Sequence, residues 1–147
     1  MRRLAPFLVG STLFLAGCGV PRAEPKVEVD GARITLPAVK GRPGAAYFTL
    51  TAAGLPERLT AVSSPRVGRI ELHESMASGM GPLKDASFPG EGRLSFEPGG
   101  KHAMLFGLDP ALKVGDRIPL TLSFERAPAV TVEAEVLGPG GATRHAH

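Results

Sequence analysis

The sequence predicts an all-β protein, a single antiparallel β-sandwich or Greek-key barrel, on three observations. Apolar residues come in short runs cut by Gly and Pro, several of those runs alternate apolar and polar side chains, and no window keeps helical spacing for three turns. With 19 Gly and 14 Pro in 147 residues, breaks are dense enough to end a strand about every 8–12 residues, the spacing of sandwiches and barrels.

Eight runs are strand candidates. In chain order they are ARITLPA from Ala32, AAYFTLTAAG from Ala45, RLTAVSSP from Arg58, VGRIELHES from Val67, GRLSFEPGG from Gly92, HAMLFGL from His102, RIPLTLSFE from Arg117 and AVTVEAEVL from Ala129. Strand side chains point alternately to opposite faces. Ile118, Leu120, Leu122 and Phe124 therefore share one side of their strand, and Val130, Val132, Ala134 and Val136 one side of theirs. EPGGKH, from Glu97, has consecutive glycines before a strand and reads as a hairpin turn rather than a phosphate cradle.

The N-terminus has the layout of a secretory signal. Met1-Arg2-Arg3 is basic, Leu4 to Leu15 is mostly apolar, and Leu15-Ala16-Gly17-Cys18 resembles a bacterial lipobox. The apolar stretch is too short for a permanent membrane span. This divides the chain into a lipoprotein signal peptide (1–17), a lipidated tether (18–26) that begins at Cys18, one β-sandwich domain (27–137) and a Gly-rich C-terminal tail (138–147). The expected location is the cell envelope, lipid-anchored, at the outer membrane facing the periplasm. Gly19 stands where inner-membrane retention would call for aspartate.

Acylation of Cys18 would consume the only thiol, leaving no disulfide, thiolate ligand or cysteine nucleophile. Loss of Arg2 and Arg3 would take the 17 basic side chains to 15, against 14 acidic ones. With no dense Lys/Arg run and few aromatics, nucleic acid is not an expected partner. G-x-S-x-G, P-loop and H-E-x-x-H motifs are missing, and Glu71, Glu74 and Asp85 form no spaced carboxylate pair and read as solvated surface charge. No enzyme activity is expected.

The residues that suggest chemistry carry sulfur and imidazole. In KHAMLFGLDP, His102, Met104, Phe106 and Leu108 fall on one strand face, so an imidazole and a thioether point the same way. His73 ends VGRIELHES, and Met76 and Met80 lie in MASGMGP, which reads as a loop. Core packing is the competing reading for His102 and Met104. Thioether ligands favour Cu(I), whereas Zn takes thiolate, imidazole or carboxylate, and Ca or Mg takes oxygen. Blue-copper electron transfer would need a cysteine thiolate. His145 and His147 form H-x-H, a candidate Cu(II) site through imidazole nitrogen, against an unstructured terminus.

His73, Met80, twenty-one intervening residues and then His102-Ala103-Met104 resemble the signature of the periplasmic PCu(A)C copper chaperones. Supporting stretches are AAYFTL, SSP, ELHES, PGGKHAMLFGL and GDRIPLTLSFE. One departure stands out: six residues separate His73 from Met80 where the family pattern has ten, which leaves Met76 as an alternative or additional ligand. The resemblance implies a cupredoxin-like sandwich and a Cu(I) site at His73, Met80, His102 and Met104. It also implies delivery of copper to an oxidase CuA subunit or exchange with a thiol-containing chaperone.

On this reading the protein is a monomeric Cu(I) carrier. Phe106 and Leu105 are candidates to shield the ion, and copper binding weakens in acid because a ligating imidazole must be neutral. The competing class is a non-metal envelope lipoprotein that uses the same sandwich as a binding or scaffold module.

Overall fold

The computed structural model describes residues 24–141. The expected signal peptide (1–17), the expected lipidation site Cys18 and the tail histidines His145 and His147 lie outside the described residues. The strands are β1 (Lys26–Thr35), β2 (Gly44–Ala53), β3 (Glu57–Ser63), β4 (Val67–Met76), β5 (Gly79–Pro82), β6 (Ser87–Phe88), β7 (Arg93–Phe96), β8 (Lys101–Leu108), β9 (Arg117–Phe124) and β10 (Val130–Leu137). A short 3-10 turn follows at Pro139–Gly141. The fold is all-β, as the alternation and the Gly/Pro breaks predict.

Hydrogen bonding links the strands in the order β5-β4-β8-β2-β1-β10-β9-β3-β6, with β7 also paired to β2. The β1–β10 pair is parallel and the other pairs are antiparallel. One core runs through the molecule, built from inward side chains that include Ile34, Phe48, Leu50, Phe96, Leu105, Ile118, Leu120 and Val136. Strand β2 shows how sequence produces it: Ala46, Phe48, Leu50 and Ala52 are buried while their alternating neighbours are partly exposed. Phe48 and Phe96 pair across β2 and β7 with ring centroids 4.6 Å apart.

Three details differ from the sequence reading. First, β1 begins at Lys26, ahead of the apolar run at Ala32; its register shifts between Asp30 and Arg33, around Gly31 at φ 61°. Second, the stretch holding Met76 and Met80 is not a loop. Strand β4 continues through Met76, turns at Ala77–Ser78 and returns as β5. Pairing with β4 makes β5 a strand, although GMGP has no alternation of its own.

Third, EPGG does not turn a hairpin. Strands β7 and β8 both run antiparallel to β2, with Phe96 opposite Phe48 and Ala103 opposite Ala46. Residues 97–102 are therefore an excursion from one continuing line of chain. A tight turn closes it, Gly100 N–H donating to Glu97 O at 3.0 Å and Glu97 N–H to Lys101 O at 2.8 Å. Gly99 sits in it at φ 82°, a conformation glycine adopts without steric cost.

At the opposite edge, Glu57 is 2% exposed at the start of β3. Its carboxylate accepts backbone N–H groups of Arg58, Glu125, Arg126 and Ala127, the shortest at 2.6 Å from Ala127. Burial pushes this carboxyl's pKa up, but the backbone donors together outweigh that and hold it below its ordinary value. Glu57 thereby ties the segment after β9 to the start of β3.

Candidate metal centre

The site is built where β4 and β8 pair. Their register sets His73 opposite His102 and Glu71 opposite Met104, while Leu72 faces Ala103 and Ile70 faces Leu105. Directly opposed residues share a sheet face. Ala103 and Leu105 are fully buried in the core, so His73, His102 and Met104 occupy the other face. On that face His102 is itself buried and Met104 half-buried.

The β4–β5 hairpin brings the second thioether. Met80 is opposite Ser75, and residues 73 and 75 share a face, so Met80 returns to the side that carries both histidines. The shorter His73–Met80 spacing is thus spanned by a hairpin. Met80 Sδ lies 3.2 Å from His102 Nε2. Met104 lines the same cleft as Met80 and His102, a hollow of about 280 Å³ bordered also by Ser75, Pro43 and Tyr47.

The hydrogen bonds define which nitrogen of each ring is free. His102 Nδ1 is 3.0 Å from Gly100 O, which can only accept, so the proton is on Nδ1. In the neutral ring Nε2 is then a lone pair, and it faces the lone pairs of Met80 sulfur with no proton between them. Gly100 O also accepts the Ser75 N–H at 3.2 Å. The 97–102 excursion thus fixes both the turn and the imidazole.

His73 is arranged the other way round. Its Nε2 is 3.2 Å from Glu71 Oε2, and a carboxylate there takes an N–H. His73 Nδ1 is left buried with no hydrogen-bond partner. The two ring centroids are 6.1 Å apart. Met80, His102 and Met104 share the cleft and His73 stands across the strand pair from His102; imidazole nitrogen and thioether sulfur are donors suited to a soft cation of low charge.

Other residues are placed elsewhere. Met76 pairs with Gly79, falls on the opposite hairpin face from Met80 and lies against Gly81; it is not part of the group. Leu105, a candidate shield for the ion, points into the core and cannot cover it. Phe106 is on the site's sheet face but sits under the Arg69 guanidinium, 4.5 Å from its ring centroid. Glu71 reads as solvated charge in the sequence, yet it holds His73. Its i, i+2 spacing from His73 within a strand is the signal that puts both on one face. Among the described residues, no three His, Cys, Asp or Glu side chains gather as a metal-holding group; the side chains sharing the cleft with His102 include the thioethers of Met80 and Met104.

Comparison with known proteins bears on the family and the fold. A family model described as "Putative lipoprotein LpqE-like" matches residues 27–136. RP573, an uncharacterised protein of Rickettsia prowazekii (strain Madrid E), is 29% identical over 111 residues, which is 71% of this chain and 57% of RP573. The chain thus spans little more than half the length of that relative. Among solved structures, the copper-bound PCuAC domain of PmoF2 is 25% identical at a TM-score of 0.67, covering 80% of this chain and 97% of that domain. The solution structure of CuI-DR1885 from Deinococcus radiodurans is 28% identical at a TM-score of 0.60, covering 83% of this chain and 82% of that one. The fold is accordingly the cupredoxin-like β-sandwich of copper-binding PCuAC domains. The matched span takes in well over half of the sequence, and the chain belongs to the LpqE-like family.

Proposed function

We propose that this protein is a Cu(I) carrier of the cell envelope, exported and held by lipid at Cys18, which binds one ion through His73, Met80, His102 and Met104. It hands that ion to another protein. The contact that carries the reading is His102 Nε2 against Met80 Sδ at 3.2 Å, with His102 Nδ1 already committed to Gly100 O. In the neutral ring these two donors face each other with no proton between them, an arrangement that a cation would satisfy. The copper-bound and Cu(I) forms of similar PCuAC proteins support the choice of metal.

Release follows from the ligands. Neutral thioethers leave the ion's charge uncompensated, whereas a partner's thiolates are softer and anionic and bind Cu(I) more strongly. Met80 is 57% exposed, so an incoming sulfur can reach the ion from the β5 side. The partner chemistry this fits is a thiol-containing copper chaperone or an oxidase CuA subunit, met by a monomeric carrier.

Anaerobic titration with Cu(I) against a chromogenic chelator tests the reading. The expected result is one tightly held ion per chain, lost in the Met80→Ala/Met104→Ala double variant. A folded wild-type protein that does not compete for copper contradicts it and favours a scaffold role for the same sandwich.

A further inference from the structure

The outer face of β4 and β8 carries a connected row of side chains leading to His73. Residues 69, 71 and 73 alternate onto that face, and Arg69 is the cross-strand partner of Phe106. Arg69 Nε is 3.0 Å from Glu71 Oε1, and Glu71 Oε2 is 3.2 Å from His73 Nε2. The Arg69 guanidinium lies over the Phe106 ring at 4.5 Å. One carboxylate therefore divides its two oxygens between a guanidinium and an imidazole.

We infer that Glu71, clamped by Arg69, is the positioning residue for His73: it keeps the ring proton on Nε2 and so assigns Nδ1 as the copper-binding atom. The inference rests on the proposed copper-carrying function and names how one ligand is prepared for it. An imidazole with no partner exchanges tautomers and turns about its χ2 bond. A carboxylate fixed at one nitrogen removes both freedoms and makes the other nitrogen a better donor. His73 Nδ1 is the nitrogen left buried without a protein partner.

Arg69 gives the clamp its direction. An unclamped glutamate has two further torsions and hard oxygens able to approach the metal, which would reduce the site's preference for a soft ion. The ion pair on one oxygen and the stacking of the guanidinium on Phe106 hold the carboxylate against the ring edge of His73. Arg69 also offsets the carboxylate's charge, so a monovalent cargo meets a nearly neutral surround.

Two measurements on the full-length folded protein test this. Nitrogen-15 spectra of the apo protein should show His73 as the Nε2–H tautomer in wild type and in Glu71→Gln, whose amide oxygen still accepts, and as a mixture in Glu71→Ala. Cu(I) affinity should fall by about 10–100-fold in Glu71→Ala, the usual cost of losing an outer-shell partner, and be largely restored in Glu71→Gln. The Glu71 side chain is 41% exposed, so neither variant opens the core. An Nδ1–H tautomer in wild type, or a Glu71→Ala protein that holds copper like wild type, overturns the inference. Failure of wild type to bind copper would instead remove the carrier function, with the tautomer spectra still deciding the role of Glu71.

Discussion

His73 and His102 stand directly opposite one another on β4 and β8, their ring centroids 6.1 Å apart, on the sheet face away from Leu72 and Ala103. The pairing register alone sets this. A slip of one residue would send either ring into the layer now filled by Leu72 and Ala103. The same core that fixes the register, chiefly Ala103 and Leu105, thus fixes the donors on its far side.

The two hairpin methionines should behave differently despite similar exposure, 50% for Met76 and 57% for Met80. Met80→Ala removes the sulfur beside His102 and should weaken Cu(I) binding by at least the ~10–100-fold that loss of an outer-shell partner costs. Met76→Ala, on the other hairpin face, should leave affinity unchanged. Competition titrations of the two single variants check this, and equal losses would mean the hairpin faces are misassigned.

Opposite faces of β8 should separate stability from binding. Leu105→Ala empties a fully buried position and should cost about 2–5 kcal/mol of folding stability, while copper stoichiometry in the folded fraction stays at one. His102→Ala should lose copper in the folded fraction and also cost some stability, because His102 is 6% exposed and bonded to Gly100 O. Urea melts paired with metal analysis read both effects.

Acid should expose the role of Glu57. Because backbone N–H donors outweigh burial and lower its pKa in the folded state, its contribution to stability is full above the unfolded value of 4.5. That contribution is lost as pH falls from there through the lowered folded value. Glu57→Gln turns one acceptor oxygen into a donor facing backbone N–H groups. It should destabilise at neutral pH by on the order of 3 kcal/mol and flatten the acid limb of a melting-temperature profile.

Much of this architecture is legible in the sequence because strand alternation is a local signal. Ile118, Leu120 and Leu122 are buried as their spacing requires, and His102 and Met104 share a face for the same reason. What is not legible depends on partners distant in the chain. GMGP becomes a strand only by pairing with β4, and EPGG resembles a turn until β7 and β8 are seen to follow one line beside β2. The i, i+2 spacing of Glu71 and His73 places them on one face but does not show that they touch; only the contact with His73 Nε2 distinguishes Glu71 from other surface carboxylates.

X-ray absorption at the copper edge of the anaerobically loaded protein bears most directly on the central claim. Binding through His73, Met80, His102 and Met104 predicts a Cu(I) edge and a shell of thioether sulfur and imidazole nitrogen in equal numbers, losing sulfur in Met80→Ala and again in Met80→Ala/Met104→Ala. A shell of oxygen and nitrogen without sulfur, or one that both methionine variants leave unchanged, would contradict it.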